Sequence, residues 1–493
     1  MNKKIVLIAL YDKLALGVRS IFSVLKKEGL DVSLIFFKEL VNNNNKPPSK
    51  IEKRKLIELL KKLKPDIIGF SLRSGFFKTA VDLTNEVKKE IDSLIVWGGI
   101  HPTICPEECL KYVDIICRGE GEYPMLELTQ IKNNFSWSKP GIENLWTKDQ
   151  QNKIRPLIDL NKLPLPIYDK NNEYMIDNNT IYRGTPILEQ VKYVAMATRG
   201  CPFNCSYCGN NSLKKLYPHE KFVRWRSVDS LIEELLEVKK NFRNLNGVFF
   251  VDEMFVSDIK WLKEFTKKYK KEINLPFEVD LYPNLVTEEM IVLLKSAGLR
   301  KVVTGIQSGS KEILRDVYKR HTFRESILSL HKILLKHKIK VDYDVIMDTP
   351  FGGEKETLDL LLELKKPFAL HLYSLTHFPK TDLTELLLSR GAIGRNDIED
   401  FKAKALDSYF IKFSHNSWNS LISLTSNRFI PKRFVRFLSC DYFIARPRLL
   451  AIPANVSRFM RLVYAGTAMF FRGELNFLIV KKRLKNLFSA NYH

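Results

Sequence analysis

Apolar positions in the first 130 residues fall into two alternating patterns. Continuous apolar runs at 4–10, 31–37, 66–71, 94–97 and 113–117 predict strands. Between them, apolar residues recur every three or four positions at 17–28, 51–63 and 79–90, which predicts amphipathic helices. In the first helix Val18, Ile21, Phe22, Val24 and Leu25 share one face, and Gly29 ends it. Strands without polar alternation, separated by such helices, indicate an α/β doubly wound parallel sheet over 1–130. Ligands of such sheets bind beyond the strand carboxyl ends. Two of those ends are glycine-rich: Gly98-Gly99, and Gly119-Glu120-Gly121-Glu122.

The pattern lapses over 131–188, where Asn133-Asn134, Pro140-Gly141, Pro156, Pro164 and Pro166 read as a connector. From 189 it restarts. Strands are expected at 191–197, 247–252, 276–281, 301–306, 340–347 and 368–374, and helices at 228–240, 257–271, 287–297, 310–317, 322–337 and 355–364. Six strand–helix units over 189–395 read as a partial (βα)6 TIM-type barrel, with chemistry at the strand carboxyl ends. Residues 396–493 read as a helical, basic C-terminal region.

At 493 residues, 45% apolar and 27% charged, the chain is globular in composition and long enough for two or three domains. Its net charge of +23 suits anionic partners, or reflects solvated lysine-rich faces. Seven cysteines, an odd number with three clustered, exclude a secreted disulfide framework and fit a reducing cytosol. The first apolar run stops at Asp12-Lys13 with no cleavage-like site after it, so it reads as a strand rather than a leader. No stretch reaches the ~18 apolar residues of a spanning helix. The charge concentrates at the C-terminus: over 428–485, thirteen Lys/Arg face only Asp441 and Glu474. Apolar faces mixed with Arg/Lys there fit either an interfacial helix peripheral to a membrane or, the preferred reading, a basic cap packed on the barrel.

The sharpest chemical signal is Arg199-Gly200-Cys201-Pro202-Phe203-Asn204-Cys205-Ser206-Tyr207-Cys208. Three thiolates at C-x3-C-x2-C follow a strand on one loop. Thiolates suit an iron–sulfur cubane, and three ligands leave one iron open for a small molecule. Structural zinc wants four closed ligands, and no second C-x2-C or H-x3-H lies nearby. Cys105 and Cys109, with Pro106-Glu107-Glu108 between them, read as a helix start with half-buried thiols.

C-x3-C-x-aromatic-C resembles the signature of the radical S-adenosylmethionine (SAM) superfamily. That resemblance implies a [4Fe-4S] cluster on Cys201, Cys205 and Cys208, whose open iron binds SAM and cleaves it reductively to a 5′-deoxyadenosyl radical. By position it places Tyr207 at the adenine and Asp252 and Glu253 at the SAM amino group. Gly305, Gln307 and Ser308, in Thr304–Ser310, fall near the ribose and carboxylate, and 344–350 beside the adenine. Taken alone, Asp252-Glu253 is otherwise a helix N-terminal charge and Gly305 a turn residue. The family's F-P-G-T is here Phe378-Pro379-Lys380-Thr381.

A parallel-sheet domain ahead of such a barrel resembles the cobalamin (B12)-binding subfamily. The resemblance implies that Ser71, Gly98, Gly99, Gly119 and Glu120 lie around the nucleotide tail and corrin. The D-x-H-x-x-G loop that carries a lower axial histidine is absent, since 12–17 reads Asp-Lys-Leu-Ala-Leu-Gly. His101 is a substitute only as a lone loop histidine. The implied activity is methylation of an unactivated carbon of a small, natural-product-like substrate, with methylcobalamin as methyl carrier and a flavodoxin or ferredoxin as electron donor. Radical ring closure, rearrangement or sulfur insertion with a vestigial cobalamin domain is the alternative. A basic nucleic-acid-binding protein with a structural cluster is a remote third, for which no RNA-binding module is visible. No catalytic side chain stands out from sequence.

Overall fold

The computed structural model describes residues 3–39, 47–131, 137–255, 258–404 and 416–471. Two sheets organise it. The first orders its strands 145–146, 115–117, 94–98, 67–71, 4–10, 31–37, 173–177 and 180–183. Its five central strands are mutually parallel. In chain order they run 2-1-3-4-5, the flavodoxin-like doubly wound arrangement, whose topological switch point lies between the first and third strands. Helices cover both faces. Leu16–Lys27 and Glu122–Gln130 bury Val18, Phe22, Met125 and Leu128 on one side, and Lys50–Leu63 and Phe77–Glu90 bury Leu56, Leu60, Leu83 and Val87 on the other.

Residues 131–188, expected as a connector, add three strands to this sheet. Leu145–Trp146 extends one edge antiparallel to Ile115–Cys117. At the other edge Glu173–Asp177 joins Asp31–Phe37 in parallel and turns through Asn178-Asn179 into Thr180–Arg183. Both asparagines take positive φ, 50° and 60°, as a tight hairpin requires.

The second sheet has six parallel strands in sequential order: Lys192–Ala195, Gly247–Phe250, Phe277–Asp280, Leu299–Gln307, Lys340–Met347 and Ala369–Ser374. Sequential parallel order with intervening helices is barrel-like winding, left open between its first and last strands. Its core joins strand residues such as Phe250, Val279 and Val345 to Leu421, Ile422, Val435 and Leu450 of the C-terminal helices. No helix among the described residues is long and apolar enough to cross a membrane.

Candidate functional site

The loop bearing Cys201, Cys205 and Cys208 leaves the short strand Thr198–Arg199 at the carboxyl end of the first barrel strand and enters the helix Gly209–Lys214. All three thiols are free, and Cys205 is buried. Gly200 takes φ +92°, and an added Cβ would meet the Phe222 carbonyl oxygen at 2.2 Å, so the loop's entry requires glycine. Ser206 anchors the loop: its N–H donates to the Tyr318 carbonyl at 2.9 Å. Burial pushes the Cys208 thiol up to about 12 and raises Cys201 as well, and Glu253 and the neighbouring thiols add to both. Three desolvated sulfur donors on one loop, with no fourth cysteine beside them in the loop, fit a site-open iron–sulfur cluster, which would take them as thiolates.

Sequence reasoning missed Arg320. Its guanidinium lies 3.9 Å from Cys205 Sγ, 3.5 Å from Tyr207 Oη and 4.5 Å from the Tyr282 ring centre, and it donates to the Gly305 carbonyl at 2.8 Å. Phe203 stacks on Tyr282 at 3.8 Å. A buried cation beside a cysteine sulfur is what a negatively charged cluster needs. Arg320 carried no local signal, being more than a hundred residues away from the cysteines.

The Asp252-Glu253 pair divides. Asp252 is fully buried and accepts from the Thr198 hydroxyl at 2.6 Å, tying the second barrel strand to the cysteine loop's base. Glu253 is exposed at the rim. Inside the barrel, strand alternation turns Glu278, Asp280, Lys301, Asp342, Asp344 and His371 inward. Lys301 neutralises the lower layer, 3.1 Å from Glu278 and 3.0 Å from Asp342. The layer above holds His371 Nδ1 3.0 Å from Asp344, while Asp280 Oδ1 is buried with no partner among the described residues. Burial, with Asp344, Asp252 and Glu253 nearby, raises Asp280 to about 8. Burial also raises Asp252, to about 7, and its Oδ2 is likewise without a partner. Two orphaned buried acceptors at the carboxyl ends of the second and third barrel strands fit a cationic hydrogen-bond donor, as the amino group of SAM is. The period-two polar positions of 277–280 and 340–347 were the available signal for this layer.

The fourth-strand element folds around a bulge between Gly305 and Gln307, the latter at φ 66°. An added Cβ on Gly305 would meet Gln307 Nε2 at 2.2 Å. The Ser308 side chain is buried and accepts from the Ser310 N–H. Tyr207 packs edge-on to Tyr318 at 5.1 Å. Lys380 replaces the family's glycine and keeps a left-handed φ of 58°.

At the carboxyl ends of the first sheet's strands lies a cavity of about 270 Å³, over its switch point. Ser71, Gly98, Gly99, Gly119 and Glu120 all line it, over a floor including Leu7, Val18 and Met125. An added Cβ on Gly119 (φ +77°) would meet Tyr217 Oη at 2.2 Å, and one on Gly99 (φ +95°) the Leu72 carbonyl oxygen at 2.7 Å. The size is near the lower end of ligand pockets, ~300 Å³, and fits the nucleotide tail of a corrinoid rather than its macrocycle. His101 is not among the lining residues. It is fully buried on the opposite face of the sheet, 3.0 Å from Ser74 Oγ and with its ring tilted against that of Phe77 at 4.8 Å, so it does not reach a group in this cavity. Its Nε2, Cys105 and Glu108 converge within 4.8 Å, but Lys402 Nζ already sits 2.6 Å from Glu108.

The two halves meet through Arg199, one residue before Gly200. It lies 3.1 Å from Glu120, 2.8 Å from Glu122 and 3.1 Å from Ser20 Oγ, all on the first sheet's loops and helices. Arg224, its partner in a two-stranded pair, lies 2.8 Å from the same Glu120. Glu120, expected only at a cofactor, thus also clasps the cluster loop to the cavity.

Residues 196–366 match the family model of the radical SAM superfamily, and residues 3–129 that of the B12 binding domain. The chain is 28% identical over 286 residues to an uncharacterized methyltransferase of Pyrococcus horikoshii, covering 55% of this chain and 58% of the relative. It is 22% identical over 300 residues to cytidylyl-2-hydroxyethylphosphonate methyltransferase of Streptomyces wedmorensis, covering 54% of each. The chain therefore spans a little over half the length of these relatives. Its fold is similar to that of the radical SAM methyltransferase TsrM from Kitasatospora setae, solved with cobalamin and a [4Fe-4S] cluster bound. The TM-score is 0.62 at 17% identity, over 79% of this chain and 78% of that one.

Proposed function

The chain belongs to the radical SAM superfamily and carries a B12-binding domain, and from this we propose that it is a cobalamin-dependent radical SAM enzyme that methylates an unactivated carbon of a small-molecule substrate. The observation that carries the reading is spatial. Three site-open thiols at the mouth of the barrel are held by Arg199 against the glycine-lined cavity of the first sheet. Arg199 lines that cavity and directly precedes the cysteine loop, so the two cofactor sites would be neighbours.

When bound, the cluster and SAM would supply radical initiation and the corrinoid a methyl group. The protein's residues do the rest. Cys201, Cys205 and Cys208 would hold three irons, with Arg320 balancing their charge. Tyr207 and the Gly305–Ser308 bulge would flank the nucleoside, and Glu253, with the orphaned oxygens of Asp252 and Asp280, would receive the amino group. Ser71, Gly98, Gly99, Gly119 and Glu120 would enclose the corrinoid's tail. Asp344 and His371, one layer into the barrel, would orient substrate. Electrons would come from a flavodoxin- or ferredoxin-like donor.

The test is anaerobic reconstitution with iron, sulfide and hydroxocobalamin. The protein should take up about four irons and one cobalt per chain and cleave SAM under reduction. Cys201→Ala, Cys205→Ala or Cys208→Ala should abolish cluster absorbance and SAM cleavage while leaving cobalt bound. Undiminished SAM cleavage by the triple alanine variant overturns the cluster assignment. Active protein that never takes up cobalt overturns the corrinoid.

A further inference from the structure

We propose that residues 428–463 form an interfacial surface that docks on anionic phospholipid headgroups. The surface is independent of the cofactor sites. Its inner side is ordinary protein core: Val435, Leu438 and Leu450 are buried with the barrel helices, and Lys432 Nζ donates to the Leu362 carbonyl at 2.7 Å. Asn427 Nδ2 donates to Ser457 Oγ at 2.8 Å, fixing the long helix Pro447–Phe471 to its neighbours.

The outer side is unlike the rest of the molecule. Of the seventeen large apolar side chains exposed among the described residues, nine fall between 429 and 463. Phe434 and Phe437 project from the helix Lys432–Leu438, Phe437 being 61% exposed. On the long helix Leu449, Ile452, Val456, Met460 and Val463 are exposed at steps of three and four, which is one continuous stripe. Scattered exposed apolar residues are ordinary, but a striped concentration marks a contact surface.

Charge selects the occupant. Arg428, Arg433, Arg436, Arg446 and Arg448 are exposed around these residues, opposed by Asp441. Among the described residues, Arg433, Arg436, Arg446 and Arg448 form no ion pair with a carboxylate. Arginine forks match phosphate oxygens, and aromatic and aliphatic side chains enter the acyl boundary beneath them. A second copy of this face would bring like charges together. Residues 472–493, outside the described set, add five Lys/Arg against Glu474 and would do the same. The cap and the membrane readings of this region thus concern different faces. The inner face packs on the barrel, and the outer face is left for lipid.

The test uses full-length, cluster-reconstituted protein sedimented with vesicles of phosphatidylcholine alone or with added phosphatidylglycerol, at low and high salt. Binding should be at least ~10-fold stronger to the anionic vesicles and should fall with salt. Phe437→Ser with Ile452→Ser should weaken it ~10-fold, and Arg433→Glu with Arg436→Glu should abolish it. All should keep cluster absorbance and thermal midpoint. No binding to anionic vesicles at low salt overturns the proposal, as does equal binding to neutral ones. Binding that appears only after deletion of 472–493 would make that segment the occupant. A lipid-free dimer dissociated by Phe437→Ser with Ile452→Ser would make it a second copy. Either result overturns the proposal.

Discussion

Arg320 shows how much one side chain decides at the cluster. Its charge lies 3.9 Å from Cys205 Sγ, and burial leaves little water to screen it. A cation there favours the more negative, reduced state of a cluster. Replacing it with methionine keeps much of the volume and removes the charge. Arg320→Met should therefore lower the cluster's midpoint potential by about 60 mV, the one-electron equivalent of ~1.4 kcal/mol, and Arg320→Lys should recover part of the shift. Spectroscopic redox titration reads this without any turnover. An unchanged potential would mean the guanidinium serves only the Gly305 carbonyl. Asp280 gives a second residue-scale prediction. Its carboxyl is raised to about 8 by burial and by Asp344, Asp252 and Glu253, with Lys301 opposing. Unfolded, it would titrate near 3.9. Between those values the folded state holds the extra proton, so stability falls as pH rises through that window. Asp280→Asn removes the group, so in SAM-free protein the variant's melting temperature should drop less between pH 6 and 8, by about 2–4 °C. Parallel melting curves for the two proteins would show that Asp280 is not protonated in the native state.

At the scale of elements, what was legible followed burial on both faces. The apolar runs 4–10 and 31–37 are strands at the expected residues, because a strand buried on both faces has no reason to carry polar side chains. The hairpin at 173–183 was not legible. Glu173 is fully buried, yet it is stable there because Arg19 Nη2, 154 positions earlier, meets it at 2.8 Å. A buried carboxylate with a distant partner looks like a solvated loop residue in sequence. Thr180–Arg183 is exposed throughout and reads as nothing periodic. The same logic separates the sites. The cysteine spacing is local and visible. The inward layer of Asp280, Asp344 and His371 and the position of Arg320 exist only once strands are set in register.

For the molecule as a whole, the seam between the two sheets is the feature on which the proposed chemistry depends, and it is polar. Arg199 and Arg224 grip Glu120 from adjacent strands, Arg199 also reaches Glu122, and the Ile158 N–H donates to Glu120 at 2.8 Å. Burial works to raise the Glu120 carboxyl, but the Arg224 bond and the Arg199 charge outweigh it and hold it below the usual range. Burial likewise opposes charge on Arg199, and Glu122 and Glu120 outweigh that. Each group is charged because the other side of the seam supplies its partner, the arginines from the two-stranded pair at the cysteine loop and the glutamates from the first sheet's last loop and helix. Removing one partner leaves a desolvated charge behind, which costs about 3 kcal/mol or more. Arg199→Met should therefore loosen the seam rather than either core. Calorimetry should show the melting transition lowered or split in two, with cobalamin retained less tightly, while the cluster still assembles on its three cysteines. Adding Glu122→Gln should restore part of the loss, because the second change removes the stranded carboxylate. If Arg199→Met melts as the parent does and holds cobalamin equally well, the two sheets are joined by their apolar contacts. The arginine would then have no part in setting the cluster loop against the cavity.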